Sequence, residues 1–262
     1  MEDIGIGGKR MNKIGWCSIT FNPVWGCLNK CEYCYARKIA KRFGKVIINE
    51  VDPYNCFSNN HGVQTLINNL KEMTNNFTPT FLDSQYYKRF PKKPQRIFVG
   101  SMSEIYYWKK EWMEKVIDKV KQYPQHTFQF LTKFPEVYSK WVFPENCWLG
   151  TTITGDEKFY KIIRRTPDNI NFLSIEPMLN FIKLNRYYIG IYDWVIIGDE
   201  TGNRKGKVIP KLEWITDIVK YCRNNKIPVY LKDSIIKLYP NIVFEYPNYH
   251  KFPDFYDKKE VR

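Results

Sequence analysis

The chain has 262 residues, 44% of them hydrophobic, and carries 41 Lys and Arg against 27 Asp and Glu, a formal charge of +14. That length holds one or two domains with a real core, and no run approaches the roughly 18 apolar residues of a membrane span. Seven scattered cysteines, an odd number, predict reduced thiols and a cytoplasmic location instead of a disulfide framework. The basic balance favours a polyanionic partner, nucleic acid or nucleotide first. Solubility alone, or a coding bias towards Lys, Asn, Ile and Tyr, accounts for the same charge without any partner.

Residues 1–13 read as a flexible basic leader, polar and glycine-rich, with no apolar run that would make a signal peptide. Trp16–Phe21 reads as a strand that ends at Asn22-Pro23. Directly after it come Cys27, Cys31 and Cys34, four and three residues apart. Positions i, i+4 and i+7 also line one side of a helix. Pro23 and Gly26 on the approach, and the polar Asn29-Lys30 between the cysteines, favour a tight loop wrapped around a metal. Ala36–Phe43 then looks helical and Gly44 looks like its stop. The cysteines therefore sit between the end of a strand and the start of a helix.

Residues 45–96 read as an insertion. Within it, 61–77 is a candidate helix with Val63, Leu66, Ile67 and Leu70 on one face. The stretch 78–95 contains Pro79, Pro91 and Pro94, and its end is basic, with Lys88, Arg89, Lys92, Lys93 and Arg96. It reads as a loop that either contacts phosphate or is simply a solvated surface run. From Ile97 the pattern is regular. Short apolar runs at 97–100, 127–131, 148–152, 171–175, 194–197 and 229–231 alternate with helical patterns such as 111–123 and 211–224. Alternation of this kind predicts a parallel sheet in an α/β fold. With the first strand there are about seven strands, too few for an eight-fold barrel, so a partial, open (β/α)6-7 TIM-like barrel is expected over residues 14–235. Residues 236–262 read as a C-terminal extension covering an edge or the barrel bottom.

Three local thiolates leave the identity of the metal open. A structural zinc takes four ligands, with Cys56 or His61 as a distant fourth here. An iron–sulfur cubane held by three thiolates keeps one iron without a protein ligand, where a substrate or cofactor can bind. The pattern Cys-x3-Cys-x2-Cys, with Tyr33 just before the last cysteine, resembles the signature of the radical S-adenosylmethionine superfamily. The surrounding residues are similar to a narrower domain-of-unknown-function family found in phages and bacteria. That likeness includes Ser101-Met102-Ser103, the runs 126–133, 148–150 and 172–177, Asp193 to Gly198 with Glu200, and Pro228 to Lys232. It covers residues 14–235 apart from 45–95. The resemblance implies a partial barrel of the radical S-adenosylmethionine type. It also implies a [4Fe–4S] cluster on Cys27, Cys31 and Cys34, S-adenosylmethionine as the ligand of the fourth iron, and an electron donor such as flavodoxin or ferredoxin.

An independent test is to read the residue just past each strand, because parallel α/β barrels form their sites there. Those positions hold the cysteines, then Ser101, Ser103 and Glu104, then Thr132 and Lys133, then Thr152 and Thr154, then Glu176, then Asp199 and Glu200, then Lys232 and Asp233. Lys133 is the candidate cation for the methionyl carboxylate. Ser101, Ser103 or carbonyls of the 100–104 segment are candidates for its amino group, and Thr132 lies beside them. Glu176 or Glu200 suits the ribose hydroxyls, and Tyr33 is placed to flank the adenine or to pack. Lys232 and Asp233, with Glu200, are candidate catalytic groups that touch substrate or pair among themselves. His126 precedes its strand and reads as structural; Trp25 and Tyr35 read as packing. Cys56 is the one remaining cysteine kept as a candidate relay.

Two function classes follow. One is a radical enzyme, a monomer or small homo-oligomer, that generates a 5′-deoxyadenosyl radical and acts on a nucleic-acid base or nucleotide, as the related photoproduct lyases and base-modifying enzymes do. The other is a non-catalytic nucleic-acid-binding accessory protein stabilised by zinc or an iron–sulfur centre. A glycosidase-type carboxylate pair, Glu104 with Glu176, is a more distant third.

Overall fold

Seven short runs rich in β-branched and aromatic residues form one sheet, and the residues between them supply its layers. A computed structural model describes residues 14–49, 60–155, 168–184 and 191–242. The expected leader 1–13, Cys56 and the part of the extension beyond residue 242 lie outside the described residues.

The elements run β1 (Ile19–Phe21), β2 (Val24–Trp25), α1 (Tyr35–Asn49), α2 (Asn60–Asn76), β3 (Thr80–Phe81), α3 (Asp83–Tyr86), β4 (Arg96–Val99), α4 (Lys110–Lys121), β5 (Thr127–Thr132), β6 (Cys147–Ile153), β7 (Ile170–Ile175), β8 (Trp194–Ile197), α5 (Leu212–Asn224), β9 (Val229–Leu231) and α6 (Asp233–Leu238). Seven of the strands form a single sheet in the order β1-β4-β5-β6-β7-β8-β9, every neighbour parallel. The expected strand number and parallel order are both met. The sheet curls into a half-barrel. The residues leading into β1 reach across towards the far edge: Trp16 lies 6.4 Å from Trp194 on β8, and a Cβ at Gly15 would stand 2.8 Å from the Tyr230 hydroxyl on β9.

The concave side is filled by rings. Trp16, Phe98, Trp148, Phe172, Trp194 and Tyr230 pack with Ile196 as one cluster. Trp16 is 4.7 Å from Phe98 and 5.9 Å from Phe172, and Trp194 is 5.6 Å from both Trp148 and Phe172. These tilted and edge-on contacts suit ring quadrupoles. The convex side is covered in two halves. Met113, Val116, Ile117 and Val120 of α4 pack with the strands near β1, and Ile215, Ile218, Val219 and Cys222 of α5 pack with β7 to β9. Among the described residues no helix is long and apolar enough to cross a membrane.

Two expectations are corrected. Gly44 does not stop α1, which continues to Asn49. An interior glycine costs about 1 kcal/mol against alanine, too little to end a helix by itself. The 78–95 stretch is not wholly loop, because β3 pairs antiparallel with β2 and α3 follows. The expected insertion thus braces the segment that carries the cysteines.

Gly150 of β6 makes the ring packing possible, since a Cβ there would fall 2.3 Å from the Phe172 ring. Gly150→Ala is expected to cost about 1–3 kcal/mol by overpacking. Urea unfolding checks this, and an unchanged midpoint would contradict the packing described.

Candidate functional site

Because all seven strands run the same way, their C-terminal ends share one rim, and each predicted site residue outside the cysteine loop follows or ends one of them. The cysteine loop is held beside that rim at several points. Gly26 N–H donates to the Met102 carbonyl at 3.0 Å, after β4, and Cys27 N–H donates to the Phe77 carbonyl at 2.7 Å, after α2. Gly26 sits at φ +107°, and a Cβ there would stand 2.2 Å from the Thr78 carbonyl oxygen, so only glycine fits. Arg37, in the first turn of α1, ties the loop from inside. Its guanidinium donates to the carbonyls of Asn29 (2.9 Å), Asn76 (3.2 Å) and Cys27 (3.5 Å) and lies 5.0 Å from the Phe77 ring centroid. Tyr107 donates its hydroxyl to Asn29 Oδ1 at 2.8 Å.

Cys27, Cys31 and Cys34 are partly buried and free of disulfides. Cys27 Sγ accepts from Asn29 N–H at 3.3 Å and Cys34 Sγ from Arg37 N–H at 3.4 Å. Burial, with smaller contributions from Glu104, Cys34 and Cys31, pushes the Cys27 thiol up to about 12. Among the described residues no three His, Cys, Asp or Glu side chains converge to share a single metal ion. A cluster asks for something different, because it spreads its irons over several corners. Three neighbouring, unbridged thiols, two with N–H donors to sulfur, are a donor set suited to it.

The remaining predicted residues fall into three groups. In the first, Glu104 is buried beneath the loop after β4. It accepts from the Thr132 hydroxyl, from Lys133 N–H at 3.0 Å and from Tyr106 N–H at 3.3 Å. Burial holds its carboxyl above the usual range in spite of those donors. Thr132 in turn accepts from Phe134 N–H at 3.0 Å. Glu104 and Thr132 therefore brace one strand end against the next. Ser101 donates to Asn22 Oδ1 at 3.0 Å, and Ser103 Oγ accepts from Trp108 Nε1 at 3.0 Å. Tyr35, expected only to pack, donates its hydroxyl to the Ser101 carbonyl at 2.8 Å.

In the second group, Lys133 reaches from β5 to the cysteine loop, its ammonium 2.8 Å from the Tyr33 hydroxyl and 5.4 Å from the ring centroid. In the third, Lys232 forms an ion pair with Glu176. Lys232 thus pairs with neither Asp233 nor Glu200, the two pairings expected beside substrate contact. The strand register explains it: Ile175, Ile197 and Leu231 are aligned, so Glu176, Gly198 and Lys232 follow in line. A Cβ at Gly198 would lie 2.7 Å from Lys232 Cδ and 3.2 Å from Glu176 Cδ, so the missing side chain on β8 lets the pair join across it. Glu200, also buried, is gripped by Arg204 at 2.7 and 2.8 Å, and this bond holds its carboxyl below the usual range. The same guanidinium reaches Glu32, between Cys31 and Tyr33, at 3.3 Å. Asp199 pairs with Lys207 at 3.0 Å, and Asp233 is the exposed first residue of α6. His126 is buried away from the rim, its Nδ1 accepting from Gln95 N–H, as its structural reading expects.

A family profile described as protein of unknown function (DUF5131) matches residues 11–235, which include the loop and all seven strand ends. The chain belongs to the DUF5131 family. No curated protein and no solved structure matches it. Within this DUF5131 chain, sequence reasoning found the cysteines and most of the rim but missed Asn22, Arg37, Tyr107, Gly198 and Arg204. Arg37 carried a readable signal, its place three residues beyond Cys34 at the start of a helix, and Arg204 another, four residues beyond Glu200. Asn22, Tyr107 and the Arg204 contact with Glu32 join partners 78 to 172 residues apart, and Gly198 acts on neighbouring strands.

Replacing Arg37 by Gln removes contacts of about 1 kcal/mol each. Hydrogen exchange at the loop amides of residues 28–30 is expected to quicken by about tenfold or more. An unchanged exchange rate would remove Arg37 as the anchor of the loop.

Proposed function

We propose that this protein is a radical S-adenosylmethionine enzyme, its barrel a partial one of that superfamily's type, acting on a nucleic-acid base or nucleotide. The observation that carries the reading is a three-cysteine loop fastened to the C-terminal rim of a parallel half-barrel, with the ammonium of Lys133 reaching its Tyr33. Cys27, Cys31 and Cys34 would hold a [4Fe–4S] cluster and leave one iron for the amino and carboxylate groups of S-adenosylmethionine. When bound, such a cluster would supply the electron for reductive cleavage of S-adenosylmethionine, the source of the radical chemistry.

The chain's own residues have more ordinary tasks. Lys133 supplies positive charge for the methionyl carboxylate while Tyr33 holds its ammonium in place. The Gly100–Ser103 turn, fixed by Asn22 and Tyr35, offers carbonyl oxygens to the amino group. Glu176, held in place by its ion pair with Lys232, is the carboxylate for ribose hydroxyls. Glu200 works indirectly, through Arg204 and Glu32, by holding the loop over the rim. The aromatic floor of Trp16, Phe172 and Trp194 closes the half-barrel beneath the site and excludes water from that side. Support for a nucleic-acid substrate is the +14 charge. An external reductant of the flavodoxin or ferredoxin kind completes the electron balance.

Anaerobic reconstitution with iron and sulfide, then dithionite and S-adenosylmethionine, is expected to release 5′-deoxyadenosine. Lys133→Ala is expected to weaken S-adenosylmethionine binding by about tenfold or more, the loss of a charge-assisted contact. A fully reconstituted protein that releases no 5′-deoxyadenosine would overturn the assignment in favour of a non-catalytic iron–sulfur module.

A further inference from the structure

The basic stretch after α3 is fastened down from behind. Lys119 of α4 is buried, and its ammonium donates to the carbonyls of Tyr86 and Lys88 while lying 4.8 to 5.1 Å from the ring centroids of Phe21, Tyr86 and Phe90. A cation enclosed by three rings and bound to two carbonyls ties this segment to α4. Phe90 adds a second tie, packing on Phe21 at 5.1 Å, Tyr123 at 5.0 Å and Phe128 at 5.5 Å. A third is the bond from Gln95 N–H to His126 Nδ1.

What these ties turn outward is a strip of one sign. Lys88, Arg89, Lys92 and Lys93 are exposed, and Tyr87 is 71% exposed. No acidic residue occurs between Asp83 and Glu104. The Lys88 ammonium donates to the neutral Gln85 side chain, and among the described residues none of the four cations has an acidic partner. The segment that carries the strip begins at the foot of the cysteine loop, where Leu82 N–H donates to the Pro23 carbonyl at 2.8 Å, and ends at Arg96, the first residue of β4. It therefore leads from the rim to the opposite end of the sheet beside the β1 edge.

We propose that this strip docks the sugar–phosphate backbone of a nucleic acid, with Lys88, Arg89, Lys92 and Lys93 against phosphates and Tyr87 stacked on a base. The proposal deepens the nucleic-acid reading above and rests on it for the direction of the strand towards the rim. Spaced cations with an aromatic among them match backbone neutralisation and base stacking. A strip whose one large exposed apolar side chain is a tyrosine offers little to insert into a lipid surface.

Fluorescence anisotropy of the full chain tests this without turnover, so its outcome is separate from that of the cluster assignment. The probes are a labelled single strand of about 30 nucleotides and its duplex, each titrated with salt. The variant Lys88→Gln/Arg89→Gln/Lys92→Gln/Lys93→Gln is compared with an equally neutralised control, Lys211→Gln/Lys220→Gln/Lys226→Gln/Lys237→Gln. For at least one probe, the strip variant is expected to bind about tenfold or more weakly near 0.1 M salt. Its slope of log K against log salt should fall by about three. The control should change far less. Equal losses in the two variants, or no loss in the strip variant, would overturn the proposal. So would wild-type binding to anionic lipid vesicles with none to either strand form.

Discussion

Parallel pairing of all seven strands is the constraint on which the rest of this molecule depends. It sends every strand's C-terminal end to one rim and requires a crossover after each strand, which is why helices such as α4 and α5 cover the convex side. It also sets the register by which Glu176 and Lys232 lie on either side of Gly198. In a mixed sheet some of these groups would have been sent to opposite ends. The curl depends on filling the concave side with rings, and Gly150 leaves the space that Phe172 occupies.

The cysteine loop is an addition to that scaffold, and it is fixed mainly through backbone. Gly26 and Cys27 bond to carbonyls beyond β4 and α2, while Arg37 gathers three more carbonyls beneath the loop. Two of the three sulfurs accept backbone N–H bonds, Cys27 from Asn29 and Cys34 from Arg37. On the later strands of the rim the acids are paired with cations: half-buried Glu176 with Lys232, and buried Glu200 and Asp199 with Arg204 and Lys207. Burial of such charges is tolerable only with partners of this kind. Lys133 differs: its ammonium contacts the hydroxyl and ring of Tyr33, so its charge is directed to the cysteine side of the rim.

Much of this was legible in the sequence, for a physical reason. The strands of a parallel sheet are nearly continuous apolar runs, so 194–197 and 229–231 could be read to the residue. Residues just past such runs fall at the rim by topology alone, and the cysteine spacing needs no tertiary information. What stayed hidden depends on contacts between distant segments. Nothing near Glu32 in sequence announces Arg204, and a glycine at 198 reads as a strand end before it reads as clearance for a lysine on the next strand. Gly44 failed as a stop because the helix on either side of it outweighs one unfavourable residue. The 78–95 stretch looked like loop because a two-residue strand such as β3 is too short to show a period.

The central claim is that Cys27, Cys31 and Cys34 hold a cluster with one iron left for S-adenosylmethionine. Electron paramagnetic resonance of the anaerobically isolated, dithionite-reduced protein tests it most directly. The account predicts a [4Fe–4S]+ signal whose g-values shift when S-adenosylmethionine is added and which is lost in the triple Cys→Ala variant. Stoichiometric zinc in place of iron, or a cluster signal that S-adenosylmethionine leaves unchanged, would contradict it.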